Sequence, residues 1–170
     1  MAELNRAHIE AVMRLANESP YFGLMGMRLE DMSEGHALVK VQVAHDHLNV
    51  FGGIHGGAYA SLLDTAAYWA LYCSLEECEG FTTIDLNVSD LRAVSEGSLV
   101  VEGRVIKRGR TISLCEADVR DESGRLLAHA TSKMLIGSLL QPMGDAVSSL
   151  GLDPLPVKFL RDASGPVSSS

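Results

Sequence analysis

The feature that most limits how this chain can fold is one long apolar segment. The segments around it are shorter and alternate apolar with polar residues. Residues 56–77 carry few charges and form the one stretch suited to a long helix. Residues 82–88, in contrast, place Ile84, Leu86 and Val88 on one face, as a half-buried strand does. Similar patterns predict strands at residues 26–33, 36–43, 99–107, 112–119 and 126–136, and an amphipathic helix at 4–16. This order predicts an α+β fold in which an antiparallel sheet wraps one helix.

The apolar segment also raises the question of a membrane. Residues 56–75 are about as long as a membrane span. Asp64 lies near the centre of that segment, where a charge in a bilayer is costly, so we predict a buried helix of a soluble protein. Residues 5–15 lack the apolar run of a targeting segment. The 3 cysteines cannot all pair and lack zinc-site spacing, so we expect a reduced, cytoplasmic location.

The charge balance narrows the choice of ligand. The chain has 22 acidic residues against 14 Lys plus Arg, and its formal net charge is −8. That balance argues against nucleic acid as a partner. A polyanionic small ligand needs a local basic cluster, and one occurs at Arg104, Lys107, Arg108 and Arg110.

The most informative stretch joins a glycine-rich loop to the start of the long helix. It runs over residues 47–57 and includes Asn49 and His55, with Asp64 about two turns further on. The N–H groups of a helix's first turn lack internal partners, and the helix dipole favours negative charge there. Glycines at positions 56 and 57 let a ligand approach that backbone closely. The stretch therefore predicts a donor site for an anion or a developing oxyanion.

This stretch resembles the PaaI-type branch of the hotdog-fold acyl-CoA thioesterases. The family pattern is His-x-Asn-x-x-Gly-x-x-His-Gly-Gly, then four residues, Leu, one residue and Asp. The chain fills every fixed position, with His47, Asn49, Gly52, His55, Gly56, Gly57, Leu62 and Asp64. The resemblance implies a hotdog domain over residues 20–137, an N-terminal helix over 1–19 and a C-terminal extension over 138–170, whose end we expect to be disordered.

The resemblance implies a role for each residue of the site in hydrolysis of an acyl-CoA thioester. Asp64 acts as general base or nucleophile, and the backbone N–H of Gly56 holds the thioester oxygen. Asn49 orients water or the carboxylate, His55 supports the loop, and Thr83 positions the water. Asn49 and Gly56 come from one subunit, and Asp64 and Thr83 from its partner. The resemblance thus implies a homodimer, with a tetramer as the common higher state.

The resemblance also implies a binding surface for coenzyme A. Its residues are Gly57, Arg92, Lys107, Arg108, Gly109 and Arg110. The chain departs from the family where Asp90 replaces an aromatic residue and Ala93 replaces a proline. No cofactor is implied, because coenzyme A is part of the substrate.

Simpler interpretations of the same residues stay open. His45, His47 and His55 could suggest a metal site, but no carboxylate or cysteine completes the set nearby. Asp64 could belong to a solvated helix face, and a threonine in a strand, such as Thr83, is usually structural. The basic turn could be an ordinary solvated turn.

Other functions on the same fold also stay open. A hotdog hydratase needs an Asp and His pair acting on the β-carbon, and the long helix has no Asp-x₄-His. A non-catalytic acyl-CoA-binding protein is the second alternative. The acyl group, aryl or fatty, is open as well.

Overall fold

Six strands form one antiparallel sheet around a central helix in the computed structural model, which describes residues 3–160. The strand order across the sheet is β2-β3-β5-β6-β7-β4. The strands are β2 (Met27–Ser33), β3 (His36–Gln42), β4 (Gly80–Asp90), β5 (Ser98–Lys107), β6 (Ile112–Asp121) and β7 (Leu126–Gly137). The central helix, α3 (Gly56–Tyr72), contacts all six of them. The predicted α+β architecture is confirmed.

The helix α3 is shorter than the sequence predicts. It ends at Tyr72, whereas the apolar pattern predicts an end near residue 77. Beyond Tyr72 the backbone tightens, because the N–H groups of Ser74 and Leu75 bond carbonyls three residues earlier. Leu75 is nevertheless buried, so the apolar pattern continues past the end of the helix.

The helix touches the sheet through backbone at one position. A methyl group on Gly103 of β5 would overlap the carbonyl oxygen of Ala66 in the middle of α3. Gly103 and Ala66 are both buried, and neighbouring Val101 is fully enclosed. The absence of a side chain at Gly103 therefore sets how closely α3 packs on the sheet.

Two helices and a strand pair lie outside the predicted pattern. Helix α1 (Arg6–Asn17), predicted at residues 4–16, is followed by a second helix, α2 (Pro20–Met25), which the sequence pattern does not predict. Proline at the first position of a helix is favourable, because its missing N–H has no partner there anyway. Residues 138–160 contain helix α4 (Met143–Ser149) and strand β8 (Phe159–Leu160), which pairs with β1 (Glu3–Leu4). The end of the C-terminal extension, which we expect to be disordered, lies outside the described residues.

A buried lysine attaches the C-terminal segment to the end of α3. Lys158 is 1% exposed, and its Nζ donates to the carbonyl oxygens of Tyr72 and Leu75 at 2.6 Å each. Its ammonium lies 4.1 Å from the centre of the Tyr72 ring. Burial lowers the pKa of Lys158 to about 8. A positive side chain thus caps the negative end of the helix.

Neither a membrane-spanning helix nor a disulfide occurs within residues 3–160. Within residues 3–160, no helix has both the length and the apolar character needed to cross a bilayer. Cys73, Cys78 and Cys115 are all free thiols, and Cys78 is the exposed one.

Candidate active site

The loop before α3 is held by its own polar side chains. The Nδ1 atom of His47 accepts a hydrogen bond from the N–H of Ala44 at 3.0 Å. The Oδ1 atom of Asn49 accepts one from the N–H of Phe51 at 2.9 Å, and the Asn49 N–H donates to the carbonyl of Gly53 at 2.8 Å. His47 is buried and Asn49 is half-buried. Both residues thus hold the conformation of the loop that leads into α3.

His55 caps α3 and leaves one first-turn donor without a partner. Its Nδ1 accepts from the N–H of Gly57 at 2.8 Å, so the ring proton is on Nε2. The carbonyl of His55 accepts from Ala58 at 2.9 Å and from Tyr59 at 3.3 Å. The N–H of Gly56 has no hydrogen-bond partner among residues 3–160. Gly56 therefore presents an unpaired donor at the positive end of the helix, as the oxyanion prediction requires.

Asp64 and Thr83 meet on the open side of α3. The Oγ1 of Thr83 donates to Oδ1 of Asp64 at 2.8 Å, and it lies 3.3 Å from the sulfur of Met134. Burial raises the pKa of the Asp64 carboxyl above its ordinary value, and the hydrogen bond from Thr83 opposes that rise. The other oxygen of Asp64 has no partner in the described part of the chain. One oxygen is therefore positioned while the other is available for chemistry.

One chain does not bring the two halves of the predicted site together. Gly56 and Asp64 are eight residues apart on one helix, which is about 12 Å along its axis at a rise of about 1.5 Å per residue. A hydrogen bond spans about 3 Å. A single substrate carbonyl therefore does not contact the Gly56 N–H and the Asp64 carboxylate of one chain at once.

A further carboxylate lies beside the start of α3. A methyl group on Gly56 would lie 2.5 Å from Oδ2 of Asp90, so this side chain borders the unpaired N–H. The segment after Asp90 is anchored, because the Tyr59 hydroxyl donates to the carbonyl of Arg92 at 3.0 Å. Burial, with a smaller contribution from the Asp90 charge, raises the pKa of Tyr59 to about 12. The sequence marked Asp90 as unusual, but no pattern along the chain indicated that it borders Gly56.

Arg104, one member of the predicted basic cluster, is paired with carboxylates. Its guanidinium contacts Glu102 at 3.0 Å, Glu116 at 3.3 Å and Asp118 at 3.3 Å. Asp118 is 7% exposed and its pKa is lowered: burial alone would raise it, but hydrogen bonds from His129 and Arg120 and their charges outweigh burial. Arg104 therefore neutralises acidic neighbours in the sheet, and little of its charge is left to attract a polyanionic ligand.

The turn itself holds one paired and two unpaired cations. Arg108 donates to Glu79 at 2.7 Å. The side chains of Lys107 and Arg110 are exposed and make no ion pair among the described residues. Gly109 allows the tight turn, because a methyl group there would overlap the carbonyl oxygen of Ile112. Lys107 and Arg110 are thus the cations of this turn that are free to meet a ligand.

The histidines near the loop do not form a metal site. No group of three or more His, Cys, Asp or Glu side chains suited to a metal ion occurs within residues 3–160. His47 and His55 each use Nδ1 to accept a backbone N–H, and His45 is exposed.

Comparison with known proteins supplies the family. The sequence profile of the thioesterase superfamily matches residues 51–128. A thioesterase of Haemophilus influenzae superposes with a TM-score of 0.71 at 26% sequence identity, covering 78% of this chain and 92% of that one. This part of the chain is similar to the thioesterase superfamily. The hotdog fold that the sequence motif implies is thereby confirmed.

Other relatives match similar lengths of the chain. Acyl-coenzyme A thioesterase 13 of Homo sapiens is 25% identical over 140 residues, which are 81% of this chain and 98% of that protein. A hypothetical thioesterase protein of Streptococcus pneumoniae, whose crystal structure is with coenzyme A, has 27% identity and a TM-score of 0.60. It covers 65% of this chain and 85% of that chain.

The match to the thioesterase superfamily is centred on the predicted site. Of the predicted site residues, only Asn49 lies outside the matched range. Helices α1, α2 and α4 all lie outside it. The match therefore covers α3 and strands β4 to β6, whereas β2, β3, most of β7 and the flanking helices lie outside it.

Proposed function

We propose that this chain is an acyl-CoA thioesterase, which hydrolyses an aryl- or fatty-acyl-CoA to the free acid and coenzyme A. The observation that carries the proposal is the half-buried carboxylate of Asp64, with one oxygen held at 2.8 Å by Thr83 and the other unpaired within residues 3–160. The names of the relatives support it, since one is an acyl-coenzyme A thioesterase and another was solved with coenzyme A.

The chemistry can follow either of two routes from this carboxylate. As a general base, Asp64 takes a proton from water, whose oxygen attacks the thioester carbon, with Thr83 fixing the carboxylate. As a nucleophile, Asp64 attacks the carbon itself and forms an anhydride that water then hydrolyses. In both routes the Gly56 N–H stabilises the oxyanion, the carbon–sulfur bond breaks, and the thiolate leaves and is protonated.

The proposal includes a homodimer with active sites at the interface. The separation of about 12 Å between Gly56 and Asp64 supports this part of the proposal, because a site that uses both groups needs a second copy of the chain to supply one of them. Strand β4, which carries Thr83, is an edge strand of the six-stranded sheet and pairs only with β7 in the described chain. The outer edge of this 11-residue strand carries backbone groups that can pair with a second copy of the chain. A tetramer of two such dimers is part of the same proposal.

We assign coenzyme A recognition to exposed cations of the chain. Arg92, Lys107 and Arg110 carry positive charge into solvent, whereas Arg108 is paired with Glu79. The phosphates of coenzyme A need such cations in a chain whose formal net charge is −8. The reaction as proposed requires no cofactor and no metal.

The test is release of free thiol from a panel of aryl- and alkyl-CoA thioesters. We expect turnover, and we expect Asp64→Asn to lower kcat/KM by roughly 10²–10⁴, the usual contribution of general-base catalysis. Asp31→Asn is the matched control, because Asp31 is a half-buried carboxylate on β2 at the other edge of the sheet. Full activity in Asp64→Asn would remove Asp64 from the mechanism. Tight acyl-CoA binding without thiol release would instead identify a non-catalytic binding protein.

A single turnover in heavy-oxygen water separates the two chemical routes. In the general-base route, the released acid carries the heavy oxygen from the first turnover. In the nucleophilic route, water attacking the Asp64 carbon leaves the label in Asp64 and the first acid unlabelled. Mass spectrometry of the acid and of the peptide containing Asp64 measures the difference.

A further inference from the structure

An apolar groove of about 430 Å³ lies between the three flanking helices and α3. Trp69 of α3 forms its floor, Val12 and Phe22 come from α1 and α2, and Ala146 and Val147 come from α4. All except Ala146 are buried. The volume falls within the range of small-molecule sites, roughly 300–1,000 Å³, and such sites are lined mainly by apolar side chains.

Helix α2 connects the groove to the turn of α3 just before Asp64. Ser61 lies three residues before Asp64, and the hydroxyls of Tyr21 and Ser61 are 2.6 Å apart, which fixes α2 against this turn. Phe22, next to Tyr21 in α2, lines the groove. Trp69 lines the groove from α3 and is five residues after Asp64, or about 7.5 Å along the helix axis. The α2 wall of the groove therefore reaches the part of α3 that carries the carboxylate.

We propose that this groove holds the hydrocarbon chain of a fatty-acyl substrate whose thioester lies at Asp64. The assignment rests on the proposed function and selects fatty over aryl substrates. An alkyl chain fits because the walls are apolar and the polar side chains, Glu18 and Ser19, come from the segment that joins α1 to α2. Helix α4 supplies one wall and lies outside the range shared with the superfamily profile, so the groove is a feature of this chain's own extension.

The size of the groove favours a chain over a protein segment. A helix about 10 Å across occupies roughly 420 Å³ per turn, so the groove has room for about one turn. An alkyl chain, in contrast, is thin and flexible and gains about 0.8 kcal/mol for each buried methylene, or about fourfold in binding.

The first test uses Trp69 as a reporter, because the chain has 1 tryptophan. Palmitic acid brominated along its chain is titrated into the full-length protein, and bromine quenches an indole only on contact. We expect saturable quenching of Trp69, lost with Ala146→Phe, which fills the groove from α4. Asp145→Phe is the matched control, since Asp145 is an exposed residue of α4 that does not line the groove. Circular dichroism checks that both variants are folded.

The second test follows chain length in hydrolysis. From butanoyl- to dodecanoyl-CoA, kcat/KM should rise by up to about fourfold per methylene that reaches the groove. Ala146→Phe should lower the ratio of dodecanoyl to butanoyl activity at least tenfold, and Asp145→Phe should preserve it.

The outcomes distinguish this proposal from the function on which it rests. Absence of quenching, or equal quenching in Ala146→Phe, overturns the groove assignment whether or not thioesters are hydrolysed. Quenching without hydrolysis of any acyl-CoA supports the groove as a fatty-acid site and overturns the thioesterase proposal. A Trp69 signal that changes with protein concentration but not with the brominated acid shows that a second copy covers the groove, which also overturns the assignment.

Discussion

A pair of complementary variants tests whether each active site is built from two chains. The first variant, Gly56→Pro, deletes the unpaired N–H at the start of α3. Proline is tolerated at this first helical position, and the preceding His55, at φ −72 and ψ 137, already has the extended conformation that proline requires. Gly56→Ala is its control, because it places a carbon against Asp90 as proline does and keeps the N–H.

The expected losses follow from the geometry. Removing one oxyanion donor should cost roughly 10²–10³ in kcat, and Gly56→Ala should retain most activity. The second variant, Asp64→Asn, removes the carboxylate about 12 Å further along the same helix. If the site is shared, a mixed dimer of the two variants has one site with both the N–H and the carboxylate intact and one site with neither.

The assay is thiol release from mixed dimers. Equal amounts of the two variants are unfolded and refolded together, so that about half of the dimers are mixed and total activity recovers to about a quarter of wild type. Each variant refolded alone should stay inactive. No recovery in the mixture, with mixed dimers verified by differently tagged chains, would refute the shared site. An inactive Gly56→Ala variant would refute the assignment of the Gly56 N–H as the oxyanion donor.

Three further expectations concern pH and packing. Thr83→Val removes the hydrogen bond that lowers the pKa of Asp64, so the acidic limb of the kcat/KM profile should move to higher pH, and Thr83→Ser should leave it in place. Gly103→Ala puts a methyl against the Ala66 carbonyl and should cost at least about 1–3 kcal/mol in urea unfolding. Lys158 has a folded pKa of about 8, below its unfolded value of 10.5, so the unfolded chain binds more protons between these values. Unfolding free energy should therefore rise with pH across that window in wild type relative to Lys158→Met.

The sequence predicted most of the sheet because strands such as β3 bury one face. Strand β4 is the exception, since Ile84 of its predicted buried face is 51% exposed and Leu86 and Val88 are only half-buried. The alternation of Val39 and Val41 survives in the structure, where both residues are buried on β3. It predicted the start of α3 equally well, because the glycines and His55 mark a local feature. The end of α3 was missed, since Leu75 stays buried in a turn and continues the apolar pattern beyond Tyr72.

The limits of the sequence are clearest in the site. A motif brings Gly56 and Asp64 close along the chain, but only the helical rise reveals their separation of about 12 Å. In the sequence, the four residues of the basic cluster appear equally able to bind a ligand. In the structure, Arg104 and Arg108 are paired with Asp118 and Glu79, which are distant in sequence, so the residue spacing does not predict these ion pairs. The flanking helix α4 is seven residues long, too short to produce a recognisable period.

The backbone contact between Gly103 and Ala66 has a consequence for how this protein can change over time. Ala66 is two residues from Asp64, so the carboxylate is set at a fixed height above the sheet by a junction that contains no adjustable side chain. Helix α2 contacts the same helix through the side chains of Tyr21 and Ser61, and side chains of α2 and α4 line the groove beside it. Under the proposed assignments, mutation can therefore change the walls of the acyl groove while the Asp64 carboxylate stays in place, so that the same protein frame can acquire new acyl preferences.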